Sequence, residues 1–578
     1  MDWRDGRVLN SVPLASLHET DFPWIIPIAH CLPSSAYRQR PEPIHNPGHG
    51  EKISVHTPEH HRWLGAGILL ATLALIDLAV AQPVETQAPA QAATEWSLDS
   101  QHWYVTEIRG EPAGWVHETL QSNGTHERTI HESKVSMSRG SDSMAVEMSH
   151  IFEETVDGEP VRLITRMMMS RQPIEDEYVF GPEGVKQITR QGGAERVANR
   201  PLPKGRWLTP RQEHRLFMER CAAGAKEIRY VTLNPEGGLE LMTVTKTFLG
   251  KEEVEVLGNT VPVTVWKTIT SAMPLMQTTE KISEDGVLVR SDSQIGGLRI
   301  VQRLATEAEA MDAPQGAGGR GPGAGGAGPE IMFSAFVQVD PPIENIGDLH
   351  KAKLRLRVRE GDMPDLPSEG AQRVTMNEDK RSAVVTVDVN QPSEESLDNA
   401  AAEPYLKSSS LIESDDALIG KLAERAVRGA GESASARAAA MRKFVHQYIS
   451  SKSLDTAFAS AAETAKMKTG DCSEHAVLLC AMLRSRGIPA RLASGLVYID
   501  RIGRFEHVFG WHMWTQANLD GKWIDLDATI SGPFHAGHIL TTVSSFADDS
   551  PTSELAGMIA LVGNLEVDVL EAAHGGSP

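Results

Sequence analysis

Three residue types that cooperate in thiol catalysis occur in order near the end of this chain. Cys472 lies in the segment GDCSEHAVLLC, His512 in WHMW and Asp527 in WIDLDAT. A thiol is a poor nucleophile until a base removes its proton, and a carboxylate can orient and stabilise that base. The pattern predicts acyl transfer in which Cys472 attacks, His512 acts as the base and Asp527 holds the histidine.

A helix is predicted to begin at Cys472, because the residues after Gly470 are apolar at helical spacing as far as Gly487. Asp471 is expected to turn the chain into this helix. Unpaired N–H groups at a helix start favour negative charge, and therefore the thiolate. Cys480 is predicted to be a buried thiol, since eight helical residues rise about 12 Å, too far for a disulfide with Cys472.

Strands are predicted to follow this helix, at Arg491–Ile499, after His512 and after Lys522, with the last two joined by a turn. The helix then packs on a sheet, and His512 and Asp527 lie on neighbouring strands. Asp525 shares a face with Asp527 by alternation, so spacing alone leaves both as candidates.

Other histidines are candidates for roles near the triad. His475 lies one turn into the helix and His507 precedes His512, so either is an alternative base. His535 and His538 could contribute to a zinc site with members of the triad. The chain lacks the spaced cysteine pairs of structural zinc, so we predict no metal and no cofactor.

Residues 405–545, about a quarter of the chain, resemble the transglutaminase-like superfamily, whose core is a papain-like cysteine, histidine and aspartate arrangement. The matching segments are GDCSEHA around Cys472, RSRGIPAR ending at Arg491, HMW beginning at His512 and DAT beginning at Asp527. The resemblance implies that Asp527, not Asp525, takes the aspartate role.

The resemblance also favours hydrolysis, and so a peptidase or amidase acting on a peptide or protein substrate. Two alternatives stay open: a transglutaminase that crosslinks protein glutamines, and a non-catalytic binding or scaffold protein of the cell envelope. A net charge of −21 disfavours nucleic acid as a partner. The sequence leaves the oligomeric state open.

The sequence does not identify a complete oxyanion site. Papain-like enzymes often place an amide or aromatic side chain upstream of the cysteine, but no Asn, Gln, Tyr or Trp occurs between Ser451 and Gly470. The backbone N–H of Cys472 can supply one donor. Loss of one such donor typically lowers the rate about 100- to 1000-fold, so the second donor is an open question.

An exported protein, periplasmic or secreted, is predicted from the first part of the chain. Residues 1–60 are interpreted as a disordered or mis-annotated extension and residues 61–81 as a signal peptide cleaved after Ala81. The alternative, a membrane anchor, would place Asp77 inside the bilayer. We therefore expect no stable membrane span after cleavage.

The remaining chain divides into four predicted regions, and the expected fold class is α+β. Residues 95–310 show a mostly alternating pattern with many β-branched side chains, which predicts a β-rich antiparallel domain. The clearest hairpin is at Val254–Trp266. Residues 311–329 predict a Gly/Pro/Ala linker, residues 330–400 a small β domain, and residues 405–575 a transglutaminase-like catalytic domain.

Overall fold

The computed structural model describes residues 95–139, 142–168, 173–234, 237–314, 328–330, 335–452, 458–547 and 561–575. The predicted extension and signal peptide, residues 1–81, and most of the predicted linker lie outside the described residues. Among the described residues, no helix has the length and apolar composition needed to cross a membrane.

A large antiparallel sheet occupies the first part of the described chain. Its 14 strands are β1 (Ser97–Ile108), β2 (Glu111–Ser122), β3 (His126–Arg139), β4 (Asp142–Thr155), β5 (Pro160–Met168), β6 (Ile174–Gly181), β7 (Gly184–Gln191), β8 (Ala194–Arg200), β9 (Glu227–Leu233), β10 (Leu241–Val256), β11 (Asn259–Thr270), β12 (Gln277–Ser283), β13 (Leu288–Ile295) and β14 (Leu298–Ala305). Each strand pairs with the next one in the chain, apart from β8 and β9, which form the two edges of the sheet. Strands β1 and β14 pair with each other in the middle. Two helices accompany the sheet, α1 (Pro210–Ala222) and α2 (Glu307–Met311).

The hairpin predicted at Val254–Trp266 is present as β10 and β11. Val254 pairs with Val261, and the turn residues Leu257 and Gly258 have φ of 51° and 78°. Positive φ at both central residues is characteristic of a type I′ turn, whose twist matches that of paired strands. Glycine adopts this conformation without a steric penalty, which explains the sequence signal.

A four-stranded sheet follows in the region of the predicted small β domain. Its strands, in spatial order, are β17 (Gln372–Met376), β18 (Ser382–Asp388), β16 (Leu349–Val358) and β23 (Leu565–His574). In β16, Leu354 and Leu356 are fully buried, whereas Arg355 forms an ion pair with Asp568 across the sheet at 3.6 Å. The basic residues of β16 therefore lie on the outer face of this sheet, where Arg355 and Arg357 form ion pairs with acidic residues of β23.

A five-stranded antiparallel sheet carries His512 in one of its strands and Asp527 directly after another. Its strands are β15 (Val337–Gln338), β19 (Ala490–Ile502), β20 (Phe505–Leu519), β21 (Lys522–Leu526) and β22 (His538–Ser544). The helices of this region are α3 (Asn399–Ala402), α4 (Ala417–Ala426), α5 (Ala434–Tyr448), α6 (Ala461–Met467) and α7 (Cys472–Ser485). The α+β class predicted from the sequence, with a β-rich region ahead of a mixed one, is confirmed.

The five-stranded sheet is covered on both faces. The helices α4 to α7 pack on one face, against side chains that include Leu492 and Ala517. The four-stranded sheet packs against another part of the five-stranded sheet, with side chains that include Leu496 and Phe509. Because both faces are covered, every residue of β19 from Ala490 to Ile499 is buried.

Helix α7 is the centre of this packing, since every residue from Ser473 to Arg484 is buried. A helix buried on all sides holds its first residue in a fixed position. The Thr515 hydroxyl donates to the Ala476 carbonyl at 3.0 Å and fixes α7 against β20. Cys472 is thereby held at a set distance from the strand that carries His512.

Candidate active site

Cys472 is the first residue of α7, as predicted. Asp471 is the N-cap, and its carboxylate accepts a hydrogen bond from the Ser473 N–H at 2.9 Å. Glu474 accepts one from the Asp471 N–H at 2.8 Å and so completes a capping box. These bonds fix the start of the helix and the direction of the Cys472 side chain, which is partly exposed.

His512 and Asp527 are brought together by the pairing of β20 with β21. Strand β20 begins at Phe505, earlier than predicted, and Asp527 follows directly after the last residue of β21. The Nε2 atom of His512 lies 2.8 Å from Oδ2 of Asp527. A carboxylate only accepts, so Nε2 carries the hydrogen and Nδ1 is left for Cys472, whose interaction with the ring raises the pKa of His512.

The electrostatics of this group favour a charged histidine. Burial alone would lower the pKa of His512, but the Asp527 carboxylate outweighs burial and, together with Cys472, raises it to about 10. Burial alone would likewise raise the pKa of Asp527, but hydrogen bonds and charge from His512 and His538 hold it well below its usual range. An imidazolium between the carboxylate and Cys472 stabilises a thiolate.

Asp525, the other candidate carboxylate, faces different partners. Its Oδ1 accepts from Trp514 Nε1 at 2.8 Å and from Gln516 Nε2 at 2.7 Å, and its Oδ2 accepts from the Ala371 N–H at 2.8 Å. These bonds tie β20 and β21 to the segment that leads into β17. The structure therefore brings Asp527 to His512 and gives Asp525 a set of structural hydrogen bonds.

A second histidine also contacts Asp527. His538 Nε2 lies 3.2 Å from Oδ2 of Asp527, and His538 Nδ1 lies 2.9 Å from the His535 carbonyl oxygen. One ring nitrogen of His538 therefore faces the triad carboxylate and the other faces a backbone carbonyl oxygen. Two imidazoles thus donate to one carboxylate oxygen, an arrangement that sequence spacing did not indicate.

The zinc alternative considered from the sequence concerns this same group. The ligand atoms of His512, Asp527 and His538 lie within 4.8 Å of one another. The separations of 2.8 and 3.2 Å from Oδ2 are hydrogen-bond distances, and hydrogen bonds account for the arrangement. His535 contributes its carbonyl oxygen to His538 instead of a ring nitrogen.

The two alternative bases have other partners. His475 donates from Nδ1 to the Asp471 carbonyl at 2.6 Å, and its Nε2 lies 2.7 Å from Lys452 Nζ. His507 lies near the start of β20, with Nδ1 3.1 Å from the Tyr498 hydroxyl. Among the described residues, the hydrogen bonds of His475 and His507 do not include one to the Asp527 carboxylate.

The loop after Asp527 is held by two side chains of α5 that the sequence did not single out. Arg442 Nη1 donates to the carbonyl oxygens of Asp527, Ile530 and Gly532, each at 2.9 Å. His446 is half-buried, and its Nδ1 atom lies 3.0 Å from the Ala528 carbonyl oxygen. Arg442 and His446 are four residues apart, so the sequence places both side chains on one face of α5. Nothing in the sequence indicates that this face contacts the loop after Asp527.

Comparisons with known proteins support the relationship inferred from the motifs. Residues 420–528 match the family model of the transglutaminase-like superfamily. No curated protein is significantly similar to this chain in sequence.

Several solved structures are similar to parts of the chain. A protein of the domain of unknown function DUF1849 from Brucella abortus is 11% identical, with a TM-score of 0.28, and the match covers 36% of this chain and 95% of that protein. A proposed cysteine protease from Cytophaga hutchinsonii is 18% identical, with a TM-score of 0.24, over 40% of this chain and 89% of that one. The periplasmic domain of TgpA from Pseudomonas aeruginosa, bound to ethylmercury, is 14% identical, with a TM-score of 0.23, over 34% of this chain and 90% of that one.

The span of the family match includes Cys472, His512 and Asp527, the residues whose order first suggested this chemistry. Residues 420–528 therefore form a domain of the transglutaminase-like superfamily.

Proposed function

We propose that the protein is a thiol-dependent hydrolase that cleaves peptide or amide bonds, with Cys472 as nucleophile, His512 as acid and base, and Asp527 as the group that orients His512. The observation that carries the proposal is the 2.8 Å contact between His512 Nε2 and Asp527 Oδ2, which leaves Nδ1 to Cys472 at a helix start. The family match over residues 420–528 supports the same chemistry.

In the acylation step, the Cys472 thiolate attacks the substrate carbonyl carbon. A C–S bond forms while the carbonyl π electrons move onto the oxygen. The tetrahedral intermediate then collapses, the C–N bond breaks, and His512 gives its Nδ1 proton to the departing nitrogen. Asp527 holds the ring throughout and stabilises its positive charge before that transfer.

In the second step, water attacks the thioester and gives a proton to His512. The C–S bond breaks, the carboxylic acid leaves, and the Cys472 thiolate and the His512 imidazolium are restored. An amine in place of water would yield a new amide bond, which is the crosslinking alternative. The apolar segment that ends at Ala81 supports action outside the cytoplasm, in the periplasm or the medium.

The test is to trap and follow the acyl-enzyme. The protein is incubated with p-nitrophenyl acetate, and peptide mapping locates the acetyl group, with Cys472→Ala as the control. We expect acetylation at Cys472, followed by release of acetate. Acetylation no faster at Cys472 than at Cys221 or Cys480 would contradict the proposal and favour the scaffold alternative.

A parallel reaction distinguishes water from an amine as acceptor. Dansylcadaverine is added together with casein as a glutamine-bearing protein. The hydrolase proposal predicts no label on casein that depends on Cys472. Cys472-dependent labelling would instead support the crosslinking transferase.

A further inference from the structure

The oxyanion site has a second candidate donor that the sequence did not reveal. Acyl transfer places a negative charge on the former carbonyl oxygen, and one N–H of Cys472 alone would stabilise it poorly. The segment upstream of Cys472 offers no amide or aromatic donor between Ser451 and Gly470. It does contain Lys452, whose side chain points toward the start of α7.

The backbone brings Lys452 beside the nucleophile. The Ser451 N–H donates to the Lys468 carbonyl at 3.3 Å, and the Gly470 N–H donates to the Ser451 carbonyl at 3.1 Å. Ser451 and Thr469 form an isolated parallel bridge. The residue after Ser451 therefore lies alongside the segment that leads into α7.

The side chain of Lys452 is held in place by His475. The Nζ atom of Lys452 lies 2.7 Å from His475 Nε2, and His475 Nδ1 donates to the Asp471 carbonyl at 2.6 Å. Nε2 must therefore accept from the ammonium group. Burial, joined by the Lys452 charge, lowers the pKa of His475 to about 4, so the ring stays neutral and keeps this acceptor. Two further N–H groups of Lys452 are left to donate.

The charge of Lys452 faces the catalytic group. Burial lowers the pKa of Lys452, and this is opposed by favourable charge interactions with Asp527, Cys472 and Asp471. The ammonium group of Lys452, held by His475 in the first turn of α7, thus interacts through its charge with both the nucleophile and the triad carboxylate. Removed from bulk water, such a donor acts more strongly than it would at the surface.

We propose that Lys452 is the second oxyanion donor of this site and that His475 is the residue that positions its ammonium group. The inference rests on the proposed thiol-hydrolase function. As the C–S bond forms, the oxygen that gains the electron pair accepts hydrogen bonds from Lys452 and from the Cys472 N–H. When the C–N bond breaks, the pair returns to the carbonyl, the departing nitrogen takes its proton from His512, and Lys452 keeps all its protons.

Two reactions of Cys472 distinguish an oxyanion donor from a residue that only helps to form the thiolate. Iodoacetamide alkylates the thiolate by displacement and forms no oxyanion, whereas p-nitrophenyl acetate acylates through one. Both rates are measured on their pH plateaus for Lys452→Met and for a matched control, Lys466→Met, which changes an exposed lysine of α6. We expect Lys452→Met to lower acetylation about 100- to 1000-fold while alkylation stays near the native rate, and Lys466→Met to change neither.

Further variants keep the inference open to contradiction. Lys452→Arg keeps charge and donors and should recover part of the lost acetylation, while thermal unfolding reports whether each variant is folded. His475→Leu should lower the ratio of acetylation to alkylation, and His475→Gln, which retains an acceptor oxygen, should partly restore it.

Native acetylation rates in Lys452→Met would overturn the inference, as would equal losses in both reactions. A native protein inert toward both probes would refute the thiol-hydrolase proposal itself, and this inference with it.

Discussion

At the scale of single residues, the site depends on which atoms of two imidazoles meet one carboxylate oxygen. The predicted strand pairing together with the family resemblance predicted the contact between His512 and Asp527 from the sequence. The contact of His538 with the same oxygen was not predictable, because it depends on where β22 begins beside the loop after β21. Spacing alone left Asp525 as an alternative to Asp527; the resemblance favoured Asp527, and the two carboxylates have different hydrogen-bond partners in the structure.

Replacing the two carboxylates one at a time tests this separation. Asp527→Asn removes the charge that raises the pKa of His512, so we expect acetylation by p-nitrophenyl acetate to fall about 10,000-fold, as when the orienting aspartate of a serine-protease triad is amidated. Asp525→Asn, the matched control, weakens a hydrogen bond from the Ala371 N–H. It should cost about 1–3 kcal/mol in the free energy of unfolding and leave most of the activity. The reverse ranking of the two variants would show that Asp525 is the functional carboxylate.

His538 should set the acid limit of the reaction. The pKa of Asp527 is raised by burial but held low by His512 and His538. Removing one donor in His538→Gln lets that pKa rise, so protonation of Asp527 and loss of acetylation should occur at a higher pH than in the native protein. Rates measured from pH 7 down past pH 4, as far as thermal unfolding shows each variant to be folded, will show the shift, and His507→Gln, which alters the ring beside Tyr498, should show none. An unchanged acid limit in His538→Gln would mean that His538 has no influence on Asp527.

At the scale of the elements, the geometry depends on how closely the strands of the five-stranded sheet approach each other. Gly495 in β19 pairs with His512 on one side and with Leu540 of β22 on the other. A Cβ atom on Gly495 would lie 1.9 Å from the Ile539 carbonyl oxygen, so only glycine permits this approach. The strand at Gly495 was predicted from the sequence, but its requirement for glycine was not, since β22 was not among the predicted strands.

Two glycine substitutions test this packing. Gly495→Ala must push β22 away from β19, and we expect a loss of about 1–3 kcal/mol in the free energy of unfolding together with lower acetylation, because β22 begins at His538. Gly420→Ala is the matched control: a Cβ there meets nothing within 4 Å, and alanine favours the helix by up to about 1 kcal/mol. Urea unfolding compares the two. Equal stability of both variants would contradict the close approach.

At the scale of the whole molecule, three sheets share one chain, and their pairing across long sequence distances was the least predictable feature. The alternating pattern of residues 95–310 predicted the large antiparallel sheet, because each strand there pairs mainly with its neighbour in the chain. The four-stranded sheet, in contrast, takes β23 from the end of the described chain. The large sheet also contacts the helical region, where Arg196 of β8 lies 2.9 Å from Asp415.

Buried histidines in both the large sheet and the site predict the dependence of stability on acid. Burial lowers the pKa of His150 to about 4, of His475 to about 4 and of His535 to about 3. The unfolded chain takes up these protons near pH 6.5, so the stabilisation is complete above that pH and is lost as the pH falls toward 4 and below. These histidines therefore contribute a decline in the urea midpoint from pH 7 to pH 4, which is opposed by Glu213 and Glu474, whose pKa values burial raises to about 7 and about 8. His150→Gln should flatten this decline, whereas His574→Gln, at an exposed position, should not. A pH dependence of the midpoint that His150→Gln leaves unchanged would contradict a neutral His150.

The most direct test of the central claim, that His512 and Asp527 activate Cys472, is the alkylation rate of each cysteine by iodoacetamide at pH 6, followed by peptide mass spectrometry. Because the pKa of His512 is raised to about 10, its imidazolium persists at this pH and stabilises the Cys472 thiolate. Cys472 should react far faster than Cys221 and Cys480, whose thiol pKa values are raised by burial, and His512→Ala should abolish the difference. Equal reactivity of Cys472, Cys221 and Cys480, or a Cys472 rate unaffected by His512→Ala, would contradict the account.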